Sequence, residues 1–141
     1  MKEEKIKYLE LIQSIIGRLA NNSFLIKGWS VTVTLAGLSF YVTHNDPIIL
    51  VSLVGAIFLF WFCDSYYLRQ ERLFRALYGD VASNKKEADF RMELTEYQPD
   101  VSKTFVLMFS YPNLILYLAL LLVTIIQMYY KMKIEINITV G

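Results

Sequence analysis

A stretch of 34 residues, from Asp46 to Gly79, constrains the fold more than any other part of the chain. It reads DPIILVSLVGAIFLFWFCDSYYLRQERLFRALYG and is apolar in its first half and charged in its second. Asp46 and Pro47 are typical of a helix start, and Gly79 is typical of a helix end. Such a helix is about 48 Å long, whereas the hydrocarbon core of a bilayer is about 30 Å thick. The stretch therefore predicts one helix that crosses a membrane and projects beyond it.

The composition also indicates a membrane protein. Of the 141 residues, 55% are hydrophobic and 15% are aromatic, which is too apolar for an ordinary soluble domain. The chain has one histidine, His44, and one cysteine, Cys63, so a disulfide within the chain and a site with two imidazoles are excluded. A net charge of +1 provides no basic surface for nucleic acid. We expect no enzymatic activity, no cofactor, no metal site and no nucleic-acid partner.

The remaining apolar runs predict an all-α membrane protein with three transmembrane helices, at about residues 24–43, 47–67 and 105–130. Pro112 should kink or divide the third run. Residues 1–22 form an amphipathic cytosolic helix, which a break at Asn21-Asn22-Ser23 separates from the first span. Residues 68–79 extend the second span into the cytosol, and residues 80–103 form a polar loop. Alternating polarity over residues 89–95 favours a short strand in that loop.

Two charges lie at matched depth in the predicted spans. Lys27 is within a turn of the start of the first span, and Asp64 is at the same end of the second span. A carboxylate at that depth is costly without a partner, so we predict an ion pair between Lys27 and Asp64. Arg18 and Arg69 are alternative partners, and a carboxylate hydrated at the membrane interface is the alternative to any pair.

Small and hydroxyl-bearing residues mark two faces of the first span. Residues on the face of Lys27 are Ser30, Thr34, Gly37 and Tyr41, and those nearly opposite are Thr32, Ala36, Ser39 and Thr43. The second span adds Ser52 and Ala56. Small residues allow helices to approach closely, so these faces predict packing between spans. A water-facing pore lining is the alternative.

Two further segments are candidates for contacts with other molecules. Arg69, Arg72 and Arg75 form either a solvated face in contact with lipid headgroups or a surface for a cytosolic protein or a small anionic signal. The tail, residues 133–141, alternates polar and β-branched residues, with Ile134, Ile136, Ile138 and Val140 on one side. This pattern predicts a strand outside the membrane whose partner is another copy of the chain, another protein or the turn at His44, and we favour another copy. Disorder in the free state is the alternative.

The distribution of basic residues predicts the orientation. On a three-span reading only Lys131 and Lys133 lie on one side, and the other 12 of the 14 lie on the opposite side. Because basic residues near the spans remain in the cytosol, the amino terminus is expected inside and the carboxyl terminus outside. The twelve are Lys2, Lys5, Lys7, Arg18, Lys27, Arg69, Arg72, Arg75, Lys85, Lys86, Arg91 and Lys103.

Three strings of residues resemble a widespread group of uncharacterised small bacterial membrane proteins. These strings are NSF followed by KGWS at residues 22–30, DSYYLRQERLFRALY at 64–78, and DFRM at 89–92. The resemblance extends to about Tyr117 and implies three spans and a bacterial inner membrane, but no reaction. By size and layout the chain is also similar to the small multi-span effectors of bacterial anti-phage defence systems, in which a cytosolic signal triggers membrane disruption.

These observations together predict a non-enzymatic, homo-oligomeric membrane protein. Its cytosolic side is expected to receive a signal or a partner, and its spans are expected to rearrange and permeabilise the bilayer, as a pore or channel would. The alternative is an accessory or scaffold subunit that presents the projecting helix to a cytosolic protein.

Overall fold

The structure is a computed structural model, which describes the backbone of residues 2–140 and the side chains of residues 3–134. Its helices are α1 (Lys2–His44), α2 (Pro47–Ala82), α3 (Thr104–Met108) and α4 (Tyr111–Val140), with a 3₁₀ turn at Thr95–Tyr97. No strand occurs in this described backbone. Helices α1, α2 and α4 are each long and apolar enough to cross a membrane. The predicted all-α fold with three candidate spans is therefore confirmed.

Helix α2 begins where the sequence predicts. The Asp46 carboxylate accepts a hydrogen bond of 2.9 Å from the Ile48 amide, and Pro47 is the first helical residue. The carboxyl-terminal end of α2 differs from the prediction, because the helix continues past Gly79 to Ala82. There the Ser83 amide donates a hydrogen bond of 3.0 Å to the Gly79 carbonyl oxygen. Helix α2 thus projects three residues further than its glycine indicates.

Helix α1 runs without interruption from Lys2 to His44, so the predicted break at residues 21–23 is wrong. The reason is a tertiary contact: the Ser23 hydroxyl donates to the Asp64 carboxylate of α2 rather than capping a new helix. A single helix of 43 residues therefore replaces the predicted pair of a surface helix and a span.

Helices α1 and α2 form a long antiparallel hairpin. Only Asn45 and Asp46 connect them, and Asn45 adopts a φ of 59°, which asparagine tolerates better than most residues. We call this end of the hairpin the turn end. The opposite part, comprising residues 2–22, 68–82 and 83–103, we call the head. Buried residues hold the head together: Tyr8, Ile12, Ile16, Leu73, Leu77, Val81 and Tyr97.

Residues 89–94 of the head are irregular, so the predicted strand is wrong. Met92 has a φ of 48°, outside the range of a strand, and Tyr97 is only 6% exposed against α1 and α2. The apolar residues of the alternating pattern instead hold a loop against the head: Met92 and Leu94 pack on its core. No strand lies beside them in the described backbone.

The tail prediction is also wrong, because α4 remains helical through residues 133–140. A strand needs a partner for its backbone groups, whereas a helix satisfies them within one segment. The division of the third apolar run is confirmed. Helix α3 ends at Met108, and α4 begins at Tyr111 with Pro112 in its first turn.

Candidate functional site

Lys27 of α1 and Asp64 of α2 meet at one depth of the hairpin. Lys27 lies 17 residues before the end of α1, and Asp64 lies 17 residues after the start of α2. Both are therefore about 25 Å from the turn end. Lys27 Nζ lies 2.6 Å from Asp64 Oδ2 and donates a hydrogen bond of 2.7 Å to Oδ1. The structure thus selects Lys27 over Arg18 and Arg69 as the partner of Asp64.

Ser23 completes this site. Its hydroxyl donates a hydrogen bond to Asp64 Oδ1 and accepts one of 2.9 Å from Lys27 Nζ, one helical turn along α1. The Asp64 side chain is fully buried, whereas that of Lys27 is 27% exposed. A buried carboxylate is stable only when a charge and hydrogen bonds compensate its lost hydration. Lys27 supplies the charge, and both α1 side chains supply hydrogen bonds.

Helix α4 contributes to the same level of the bundle. Asn113 Nδ2 donates a hydrogen bond of 3.4 Å to the buried Ser65 hydroxyl, which itself donates to the Trp61 carbonyl oxygen at 2.8 Å. The Tyr117 hydroxyl donates to the Phe60 carbonyl oxygen at 3.4 Å. It is also close enough to Ser30 and Asp64 to interact with both. We call Ser23, Lys27, Asp64, Ser65 and Asn113 the polar layer.

The sequence-predicted packing face of α1 lies inside the bundle. Ser30, Thr34 and Tyr41 are buried, and a Cβ on Gly37 would collide with the Leu53 side chain of α2. Of the two α2 candidates, Ala56 is half-buried. Ser52 is exposed and donates its hydroxyl proton to the Ile48 carbonyl oxygen at 2.8 Å. Within the single chain the predicted face of α1 is therefore a packing face, and Ser52 lies on the outside of the bundle.

The second small face of α1 points away from the bundle. Thr32, Ala36, Ser39 and Thr43 are all exposed. Each hydroxyl donates to a carbonyl oxygen one turn earlier, at 2.9–3.0 Å. Their polar hydrogens are therefore satisfied within α1, and the face offers a smooth surface with small side chains to whatever adjoins it.

A second polar contact joins α4 to the turn end of the hairpin. Lys131 Nζ of α4 donates a hydrogen bond of 2.8 Å to the Asn45 carbonyl oxygen and lies 5.1 Å from the centre of the buried Tyr41 ring. This contact places Lys131 level with the α1–α2 connection. It also fixes the register of α4 along the hairpin.

The three arginines of α2 have different surroundings. Arg69 is half-buried, whereas Arg72 and Arg75 are exposed. Arg75 Nε lies 2.7 Å from Glu71 Oε1, one turn earlier on the same helix. Such a pair on an exposed face contributes little to stability. Part of the predicted basic surface is therefore neutralised by α2 itself, whereas Arg72 is exposed and belongs to no ion pair described for α2.

The predicted assembly strand is replaced by the end of α4. Ile134 is exposed there, and the side chains of Ile136, Ile138 and Val140 lie outside the described residues. No group of three or more His, Cys, Asp or Glu side chains is placed to hold a metal ion anywhere within residues 3–134.

The head carries apolar side chains that its own core does not cover. Ile6, Leu11 and Phe90 are each about half exposed. An open groove beside them is lined by Ile6, Leu9, Glu10, Gln13, Ser14 and Tyr78. Exposed apolar patches on soluble surfaces often mark contacts with other proteins.

Sequence reasoning missed two members of the polar layer. The sequence places Ser23 in the break before the first span, although its spacing of four from Lys27 puts both side chains on one face of a continuous helix. Ser65 follows Asp64 directly and carries no distinguishing signal; its role depends on Asn113 from α4. No family model matches the chain, and neither a curated protein nor a solved structure matches it either.

Proposed function

We propose that this chain is a non-enzymatic effector of a bacterial inner membrane that assembles with copies of itself and permeabilises the bilayer in response to a cytosolic signal. The observation that carries the proposal is the continuity of α1 and α2 from the head through the apolar spans. An uninterrupted helix moves as a rod, so a tilt or rotation imposed on the head is transmitted to the spans. A flexible link between them would absorb such a motion.

The orientation follows from the basic residues. Twelve of the 14 belong to the head or the adjoining end of the spans, as listed above, and two lie at or beyond the turn end. Under the positive-inside rule the head faces the cytosol and the carboxyl terminus faces outward. A cytosolic protein or a small anionic signal would then reach the head, where Arg72 is one of the exposed basic side chains.

The polar layer supports a bistable spanning region. Asp64 is buried and its charge is compensated by Lys27, whose side chain remains partly exposed. When α1 shifts against α2, the carboxylate loses this compensation inside the bundle, so the two helices have a small number of favourable arrangements. The exposed small face of α1, centred on Ala36, supports assembly because it allows a second helix to approach closely.

Leakage from reconstituted vesicles tests the proposal. Vesicles carrying the purified chain are expected to release potassium or protons under an applied membrane potential. The leak should rise more steeply than linearly with the protein-to-lipid ratio, since assembly is required. A Lys27→Met variant, in which the ion pair is removed, should leak at a lower protein density. Vesicles that stay tight at every density and potential, for both proteins, would contradict the proposal.

The exposed apolar groove of the head favours a second candidate function, an accessory or scaffold subunit that binds a cytosolic protein. Ile6, which lines the groove, and Phe90, which is exposed on the same head, would provide the contact. A single stoichiometric partner co-purified from native membranes, and lost in an Ile6→Asp variant but not in an Asp100→Ala variant, would favour this function. Tight vesicles together with such a partner would select it over the effector.

A further inference from the structure

Buried hydrogen-bonding side chains continue from the polar layer towards the turn end. On α1 they are Ser30, Thr34 and Tyr41, and on α4 they are Tyr117 and Thr124. The partly exposed Gln127 and Lys131 follow on α4, nearer the turn end. Ser30 and Tyr117 are inaccessible to water, and Thr34 and Thr124 are 1% exposed, so these groups point into the bundle. Polar residues inside spans are rare and commonly mark the path of an ion or a proton.

These groups lie at regular levels. The contact between Lys131 and Asn45 aligns α4 with the hairpin, so that Thr124 is about 10 Å and Tyr117 about 21 Å from the turn end. On α1, Thr34 is about 15 Å and Lys27 about 25 Å from the same end. These four levels are thus about 5 Å apart along the bundle axis, so water molecules would have to enter between them to connect one group to the next.

Titratable groups stand at both ends of this series. Asp64 is the only carboxylate within residues 24–43, 47–67 and 111–134. It faces Ser23 and Lys27 of α1, lies near Tyr117 of α4, and has Cys63 beside it on α2. At the turn end, Lys131 adjoins Tyr41. Through the partly exposed Lys27, the Asp64 end is accessible from the head side.

The hydroxyl groups of three members of the series are bonded within their own helices rather than to one another. The hydroxyl groups of Ser30, Thr34 and Thr124 donate to carbonyl oxygens of their own helices at 2.7–2.9 Å. A proton can pass only after water enters between α1 and α4 and these hydroxyls rotate. The small separation that admits single water molecules leaves no room for hydrated potassium or larger solutes.

We infer that the permeant of this protein is the proton, which passes through the interior of each chain of the assembly along the series from Asp64 to Lys131; this inference rests on the proposed function. An entering proton binds the Asp64 carboxylate, and Lys27 keeps its own proton and loses its ionic partner. Asp64 then donates to a bridging water, and each hydroxyl or water that accepts a proton on one side donates one on the other. The last proton leaves to water beside Lys131, so no group changes its net protonation.

Proton flux through the Lys27→Met variant tests the inference, because this variant removes the cation paired with Asp64. Reconstituted vesicles with an internal pH dye are expected to acidify, while potassium and carboxyfluorescein stay inside. Adding Asp64→Asn to this variant should abolish the flux. Adding Thr34→Val to Lys27→Met should lower the proton flux about tenfold, because the loss of about one hydrogen bond in the transition state for proton passage slows it by about that factor.

Ser52→Ala is the matched control, since the Ser52 hydroxyl also donates to a carbonyl oxygen one turn earlier on its own helix but is exposed on the outside of the bundle. It should leave the flux unchanged. If Lys27→Met does not reconstitute, the same substitutions are compared in the wild-type chain at the density where vesicles first leak. Equal leakage of protons, potassium and dye in all variants would overturn the inference and leave the effector proposal intact. Vesicles tight to every probe would overturn both.

Discussion

The indole Nε1 of Trp61 donates a hydrogen bond of 2.8 Å to the carbonyl oxygen of Met108. Met108 is the last residue of α3, immediately before the interruption of the third apolar run. The same indole stacks on the Tyr117 ring of α4, with 5.7 Å between ring centres. One α2 side chain therefore fixes both sides of this interruption and determines where α4 enters the bundle.

Replacing Trp61 by phenylalanine should destabilise the protein by about 1–3 kcal/mol, because a buried carbonyl oxygen loses its donor. The other tryptophan offers a matched control: Trp29 is 61% exposed, and Trp29→Phe should change stability little. Unfolding of both variants in detergent, followed by circular dichroism, would measure the difference. Equal stability of the two variants would contradict the role of this hydrogen bond.

Breaking the ion pair of the polar layer should have a larger effect. Asp64→Ala leaves Lys27 without its partner, and Lys27→Ala leaves a buried carboxylate uncompensated; we expect each to cost about 3–5 kcal/mol. Exchanging the two charges, Lys27→Asp with Asp64→Lys, should restore part of the loss. The midpoint of thermal unfolding in detergent would show this. Absence of any restoration would mean that the surroundings, including Ser23, fit only the native arrangement.

Two glycines of α1 should respond in opposite directions to alanine. A Cβ at position 17 meets nothing within 4 Å, so Gly17→Ala should stabilise by up to about 1 kcal/mol through helix propensity. A Cβ at position 37 would collide with Leu53, which is buried. Gly37→Ala should therefore destabilise by about 1–3 kcal/mol as Leu53 is displaced. The same unfolding assay compares the two, and a stabilising Gly37→Ala would show that α1 and α2 separate easily.

The head should lose stability in alkaline solution. Burial raises the pKa of Tyr97 and of Tyr8 above 10.0, and the hydrogen bond to Glu96 raises the pKa of Lys86 above 10.5. Above these values the unfolded chain releases protons that the folded head retains, so stability present at lower pH is lost as the pH rises. Thermal unfolding from about pH 9 to about pH 11 should show this decline.

The Tyr8→Phe, Tyr97→Phe double variant tests whether these two hydroxyls cause the loss of stability at alkaline pH. Without these hydroxyls the decline should be shallower, whereas Tyr66→Phe, at an exposed position of α2, should leave it unchanged. An identical decline in all three proteins would assign the alkaline loss to other groups.

The parts of the fold that were predictable are those fixed by local patterns. The apolar runs predicted the spans, and Asp46 with Pro47 predicted the start of α2, because a cap and a fixed φ act within a few residues. In an antiparallel hairpin, residues equally far from the connecting turn lie opposite each other, and this relation predicts that Lys27 faces Asp64. The hydrogen bonds of Ser23 could not be read in the same way, since the residue is equally suited to a cap and to a tertiary contact.

The two strand predictions failed for a related reason. Alternation over residues 89–95 and 133–140 describes side chains, whereas a strand also needs a neighbouring backbone. In the head, Tyr97 and Met92 reach the core from an irregular loop. In the tail, α4 simply continues, because helical hydrogen bonds need no second segment. Neither outcome is determined by the local sequence.

The continuity of α1 can be tested at residue 22. Proline there would remove a helical hydrogen bond and clash with the carbonyl of residue 18, at a cost of about 3 kcal/mol, whereas Asn22→Ala should be neutral or slightly stabilising. If α1 is one rod, Asn22→Pro should also uncouple the head from the spans, so charge changes in the head, such as Arg72→Glu, should no longer alter leakage in vesicles. Full stability of Asn22→Pro would instead support a natural hinge at residues 21–23. Leakage that still responds to the head in this variant would show that α2 alone transmits the signal.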